Sequence, residues 1–203
     1  MAYEFDGTTQ YLVTSSTPVT GTPLTMACWG IKNIATGGRE LVGLVDSTGS
    51  DRIVLGFVNT GIAARVNTAV ANAGTNTLGV WRHAAGVFAS STSRTAYADG
   101  VAGGTNTTDI TATAINSISI GARGISPVTN YHDGLIAEVG IWDVALTAAE
   151  IASLAAGVTC DRVRPQSLRF YAPLIRDLQD VIDGLTITNT NGATVANHSR
   201  VYK

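Results

Sequence analysis

Turn signals divide this chain into short pieces. Asp-Gly occurs at 6–7, 99–100, 133–134 and 183–184. Between two β-rich runs the pair supplies the positive φ angles of a tight hairpin turn. Arg94 to Val101, which reads Arg-Thr-Ala-Tyr-Ala-Asp-Gly-Val, fits such a hairpin best. Strand candidates fall at 3–5, 10–15, 24–32, 40–46, 52–58, 62–67, 80–88, 94–98, 117–121, 134–143, 168–172 and 185–188. Many short strands with turns between them predict a sandwich or barrel. The Thr-rich stretch from Thr105 to Thr113 reads as an exposed loop or edge strand, and Gly37-Gly38 and Gly103-Gly104 read as loops.

One helix is specified locally. Thr147-Ala148-Ala149-Glu150 is a capping box, in which the Thr hydroxyl and the Glu carboxylate each satisfy an orphan amide. Leu146 and Ile151 flank it as a hydrophobic staple, and Gly157 can supply a left-handed stop. A short helix over 148–156 is expected, plugging one end of the core. A second helical turn is weakly suggested at 177–182.

Composition excludes several function classes. Charged residues make up 14% and apolar residues 45% of the 203, with a net charge of −2. Arginines are scattered singly, so the concentrated positive footprint of nucleic-acid binding is missing. No stretch approaches the ~20 apolar residues of a membrane span. The start, Met1 to Gly7, has neither the basic region nor the apolar core of a signal peptide, which suggests synthesis in a cytoplasm. Two cysteines, Cys28 and Cys160, make no disulfide framework. Two free thiols are the favoured reading, with a single Cys28–Cys160 bridge as the alternative. A zinc site is not expected, since no His neighbours them.

Several segments together resemble a known family. These are Phe5-Asp6-Gly7 followed by Tyr11-Leu12, the strand Leu24 to Lys32 with Cys28-Trp29, Trp81-Arg82-His83, Tyr97-Ala98-Asp99-Gly100, and Ser119-Ile120-Gly121-Ala122. The most telling is Tyr131-His132-Asp133-Gly134-Leu135-Ile136-Ala137-Glu138-Val139-Gly140-Ile141-Trp142, which runs into the capped helix. In this order they resemble laminin G-like domains of the concanavalin A-like lectin and glucanase jelly rolls, over about residues 3–157. The resemblance implies an all-β fold: a two-sheet antiparallel β-sandwich (jelly roll) with one short capped α-helix. It implies one domain over 1–203, in which 158–203 supplies strands that complete the sandwich or meet a partner. One departure is that Phe170-Tyr171-Ala172-Pro173-Leu174, an opening strand in many relatives, here follows the helix. The tail Asn191 to His198 resembles endings of phage-encoded relatives.

The family hosts unrelated functions, so function must be argued from sites. Glycosidases on this architecture set two carboxylates on one strand face. The four glutamates, Glu4, Glu40, Glu138 and Glu150, offer no such pair except Glu4 with Asp6, and Asp6 belongs to a turn. No Gly-x-Ser-x-Gly elbow is present. An enzyme is therefore not expected. No cofactor or metal is expected: relatives often bind calcium through turn carboxylates, which makes Asp6, Asp133 and Glu138 the calcium candidates, but Asp6 and Asp133 are better explained by the geometry of Asp-Gly turns. Asp177, Asp180 and Asp183 read as a solvated face. His83 reads as a hydrogen-bonded core histidine and His132 as a surface residue before a turn. Trp29, Trp81 and Trp142 read as core, and Tyr131 and His132 are the ligand candidates. The expected function is a non-catalytic bacteriophage virion protein: a capsid decoration, head fibre or tail component. It would act by protein contacts, including self-association as a trimer, with glycan adhesion added. The alternative is a carbohydrate-binding lectin module, with a glycosidase as the remote third.

Overall fold

The computed structural model describes residues 1–48 and 50–198. Fifteen strands follow in chain order: β1 (Ala2–Asp6), β2 (Tyr11–Val13), β3 (Leu24–Lys32), β4 (Arg39–Val45), β5 (Arg52–Val58), β6 (Gly61–Val66), β7 (Ala69–Ala73), β8 (Arg82–Ser90), β9 (Ser93–Ala98), β10 (Val101–Asn106), β11 (Ser117–Ile120), β12 (Asp133–Trp142), β13 (Leu168–Ala172), β14 (Thr188–Thr190) and β15 (Thr194–Ala196). The helix α1 (Ala148–Ala155) lies between β12 and β13. All pairings between these strands are antiparallel. They build a first sheet in the order β10-β9-β8-β3-β12-β1-β15, with β13 also on β12, and a second in the order β14-β2-β11-β4-β5-β6-β7. This is the expected two-sheet sandwich.

Period-two alternation explains how the sheets face each other. Leu24, Met26 and Cys28 of β3 and Ile53, Leu55 and Phe57 of β5 point into the shared core, where all six are buried. Each fully buried side chain of this size contributes roughly 1.5–3 kcal/mol. The long β12 is shared along one edge: β1 pairs with its first half and β13 with its second. The C-terminal segment thus adds β13 and β15 to the first sheet and β14 to the second, while residues 199–203 lie outside the described residues.

Several expectations change. The helix does not plug an end of the core. It lies on the outer face of the first sheet, where Ile151 and Leu154 join Ala27, Val87, Trp142 and Tyr171 in a second apolar cluster. Its capping box is formed as expected, and Gly157 follows it at φ +96°. Asp133-Gly134 is not a turn but the start of β12, paired with Asp6 and Phe5. Gly134 is needed there because a Cβ would sit 2.0 Å from the Ile31 carbonyl oxygen. Asp99-Gly100 is the expected hairpin turn, with φ of +49° and +82°. The Gly103-Gly104 loop is instead part of the edge strand β10, held by that hairpin. The strand expected at 185–188 is displaced to β14, and 177–182 is no helix: Gln179 bridges Thr186 and a turn follows at 181–183. Asp180 is buried there, accepting from the amides of Tyr171, Ile182 and Asp183, so it is no part of a solvated face.

Candidate functional site

The outer face of the first sheet is only partly covered by α1. Beyond the helix end a pocket of about 370 Å³ opens, lined by Trp29, His83, Glu138, Leu154, Cys160 and His198 among others. Strand parity brings Trp29 there. Its neighbour Cys28 faces the core, so Trp29 faces out and is half-buried. His83 lies opposite Trp29 in the β3–β8 register, and their rings meet edge-on with centroids 5.3 Å apart. Trp81, just before β8, meets His198 edge-on at 4.4 Å, and His198 lies 6.3 Å from Trp29. Two of the three tryptophans expected in the core are therefore half-buried surface residues. Only Trp142 is core, donating its indole N–H to the Val163 carbonyl at 2.8 Å.

Glu138 reaches this pocket through a β-bulge. Ala137 pairs with Trp29 and Gly140 with Ala27, so Glu138 and Val139 together oppose Cys28. A bulge of this kind bends the strand and re-aims a side chain. Glu138 sits at φ +54°, a conformation that non-glycine residues hold only where the surroundings impose it. Its carboxylate accepts the Tyr171 hydroxyl hydrogen bond. Burial raises its pKa, and that hydrogen bond only partly offsets the rise. Burial also lowers His83 to about 3 and His198 to about 4, so both imidazoles are neutral at pH 7. Among the described residues, His83 Nδ1 and His198 Nε2 have no hydrogen-bond partner. His83 is therefore buried as expected but lacks the hydrogen bond expected of it. The pocket combines an aromatic wall, two neutral imidazoles and one carboxyl group, a set suited to an uncharged polyol.

The other site candidates lie elsewhere. Tyr131 is half-buried against Tyr11, with ring centroids 6.2 Å apart. His132 is not a surface residue. It is fully buried, stacked on Phe57 at 5.9 Å and edge-on to Phe5, with Nε2 2.8 Å from the Ile31 carbonyl oxygen. It can serve packing but is closed to a ligand. Asp6 and Asp133 are register partners, whereas Glu138 lies five residues further along β12. At 3.3 Å per residue that is about 17 Å away. Asp6 is already saturated: its two oxygens accept from the amides of Thr8, Thr9 and Gln10 and from the Thr9 hydroxyl. Desolvation works upward on its pKa and exceeds any one of these bonds, but together they outweigh it and hold the carboxyl well below the usual range. Among the described residues no three His, Cys, Asp or Glu side chains gather where they could hold a metal. The three calcium candidates do not form one site. Cys28 faces the inner core and Cys160 the outer cluster, and both thiols are free.

Strand parity could have found Trp29, since the residues before and after it alternate inward. The bulge that exposes Glu138 and the return of His198 to Trp81 leave no local signal.

With this geometry in place, the comparisons define the class. The family model described as the concanavalin A-like lectin/glucanases superfamily matches residues 6–152, and the chain belongs to that family. No curated protein sequence matches it. Among solved structures, it is similar to a native heptameric SAP-like pentraxin from Limulus polyphemus. The identity is 15%, the TM-score is 0.66, and the match covers 95% of this chain and 93% of that one. It is also similar to a presumed carbohydrate-binding protein from Bacteroides ovatus, at 15% identity and TM-score 0.66. That match covers 97% of this chain but only 61% of the other. A third is the CBM40 of the Ruminococcus gnavus IT-sialidase, bound to α2,3 sialyllactose. There the identity is 11%, the TM-score is 0.57, and the match covers 76% of this chain and 98% of that one. At these identities the likeness concerns the fold.

Proposed function

We propose that this chain is a non-catalytic carbohydrate-binding module that holds a neutral sugar ring in the Trp29–His83–Glu138 pocket. The observation that carries the reading is the half-buried aromatic wall of a pocket that also holds unpartnered imidazole nitrogens and one carboxyl group. Pockets that bind small molecules combine apolar walls with a few placed polar groups. The reading takes precedence over a purely structural role on a virus particle, because a decorating contact has no need of such a pocket. Catalysis is not part of it. A glycosidase needs two carboxyl groups about 5–9.5 Å apart on either side of the bond it cleaves, whereas Glu40 and Glu138 lie in different sheets, Glu150 is spent in the helix cap, Asp6 is saturated, and Asp161, the carboxyl that acts on Glu138, is exposed outside the pocket lining and bound by the Thr159 hydroxyl.

A sugar ring of about a dozen non-hydrogen atoms, at roughly 0.3 kcal/mol per atom, gives about 4 kcal/mol and a Kd near 1 mM. Titration calorimetry with a panel of neutral oligosaccharides tests this. Binding that is lost in Trp29→Ala, with the melting temperature retained, supports the reading. No binding at 10 mM across the panel would sink it. Self-association and a virion location, both suggested by the sequence, are checked by analytical ultracentrifugation and by mass spectrometry of purified particles.

A further inference from the structure

The opposite, outer face of the second sheet carries a different chemistry. Ile53, Leu55 and Phe57 of β5 face the core, so Arg52, Val54 and Gly56 face outward. Arg65 of β6 is the register partner of Val54, and Glu40 of β4 is the partner of Gly56. A small depression lined by Arg39, Glu40, Arg65 and Asn130 opens over Val54, Gly56 and Ala63, and next to it Gly43, the register partner of Val54, carries no side chain. Arg123 comes from the loop after β11, which is pinned by the Arg123–Thr129 bridge. All three guanidinium groups lie near enough to act electrostatically on the Glu40 carboxyl group.

The cluster is unfinished as a piece of protein. Among the described residues, none of Arg52, Arg65 and Arg123 makes an ion pair. The Nε atoms of Arg52 and Arg123 are buried without a partner. Glu40 is 4% exposed, and one of its oxygens, Oε2, is likewise buried without a partner. The other accepts from Asn130 Nδ2 at 3.3 Å. Burial pushes the Glu40 carboxyl up to about 7, even though Asn130 and the three arginines pull it down. Arg52 is lowered by burial first and then by repulsion from Arg123. Among the described residues, the Glu40 carboxyl alone opposes the mutual repulsion of Arg52, Arg65 and Arg123 at Arg52. A planar guanidinium matches a carboxylate through two parallel hydrogen bonds.

We propose that Arg52, Arg65 and Arg123 form a second binding site, selective for the carboxylate of an acidic saccharide, with Asn130 lining the depression beside it. The anion preference rests on the arginines alone, and the saccharide part rests on the carbohydrate-binding reading above.

The test uses the full chain and four probes: a galacturonic acid trimer, its methyl ester, inorganic sulfate and a single-stranded oligonucleotide. Calorimetry is expected to show the acid binding at least tenfold more tightly than the ester. The acid should lose about tenfold in Arg65→Gln and in Arg52→Gln, and nothing in Trp29→Ala. Arg65→Lys, which keeps charge but not the planar fork, should lose several-fold and controls for folding. Equal binding of acid and ester, no binding of either, or unchanged affinity in the arginine variants would overturn the proposal. Sulfate competing as strongly as the trimer would overturn the saccharide assignment, as would tighter binding of a single-stranded oligonucleotide. Failure of the Trp29 pocket alone would abolish neutral-sugar binding and leave the acid arm intact.

Discussion

Replacing Glu150 by Gln probes the lock that keeps α1 against the first sheet. The Glu150 carboxylate accepts from the Thr147 amide at 2.7 Å, from the Thr147 hydroxyl at 2.9 Å and from Arg164 Nε at 2.7 Å. The capping half of this arrangement stabilises by about 1 kcal/mol. The Arg164 pair, with side chains 28% and 23% exposed, adds about 0.5–1 kcal/mol once solvent screening is allowed for. A glutamine keeps one acceptor oxygen and loses the charge, so a loss of about 1–1.5 kcal/mol is expected. For a domain of this size that is about 2–6 °C in Tm. The pH dependence sharpens the test. Desolvation works upward on the Glu150 pKa, but the bonds from Thr147 and Arg164 together outweigh it and lower it. A carboxyl whose folded pKa is depressed stabilises above its unfolded value, near 4.3, and that stability is lost as pH falls through the folded pKa. The wild-type to Glu150→Gln gap should therefore be full at pH 7 and narrow below about pH 4. Urea unfolding across this range measures it. A gap under about 0.3 kcal/mol at pH 7, or one that ignores pH, would refute the reasoning, as would a Thr147→Ala/Glu150→Gln cycle with coupling within the ~0.3–0.5 kcal/mol error of additivity.

Two other perturbations follow from the same structure. Burial first of all, and nearby Arg39 and Lys32 after it, lower the His132 pKa from 6.5 to about 4, against hydrogen bonds to Ile31 and Leu135 that raise it. The unfolded chain therefore binds the extra proton first, and stability falls as pH drops from about 6.5 to about 4, by about 3 kcal/mol. His132→Gln should flatten part of that slope, His83 and His198 keeping the rest, and should leave sugar binding intact. Identical acid slopes in urea unfolding would count against the assignment. Gly134→Ala places a Cβ 2.0 Å from the Ile31 carbonyl oxygen in a backbone at φ +138°. It should cost more than about 3 kcal/mol or prevent folding, because both sterics and dihedral oppose it. A melting temperature within a few degrees of wild type would contradict the register of β3 with β12.

Local signals carried much of the fold. The alternation of Leu24, Met26 and Cys28 against Thr25, Ala27 and Trp29 is in the sequence, and so is the Thr147–Glu150 box, because both act over a few residues. β7 was missed because its Ala-rich run has little β-propensity of its own and is a strand only through pairing with β6. The glycines of β10 suggest a loop, yet the Asp99-Gly100 turn lays it on β9. His132 looked exposed because it precedes an Asp-Gly pair. That pair is strand here, and the ring is enclosed by Phe5 and Phe57 from both sheets. The tryptophans were assigned by hydrophobicity, which cannot tell an inner face from an outer one.

The candidate sites divide in the same way. Sequence alone established the sandwich, the capped helix and the want of a paired carboxylate motif, since each depends on residue type and near spacing. Tertiary structure decided which side of each sheet is left open. It brought Trp29, Glu138 and His198 together from β3, β12 and the C-terminal segment, and it gathered Arg52, Arg65 and Arg123 around Glu40. These groups meet across strands far apart in the chain, and only the register of antiparallel pairing and one bulge in β12 determine their meeting.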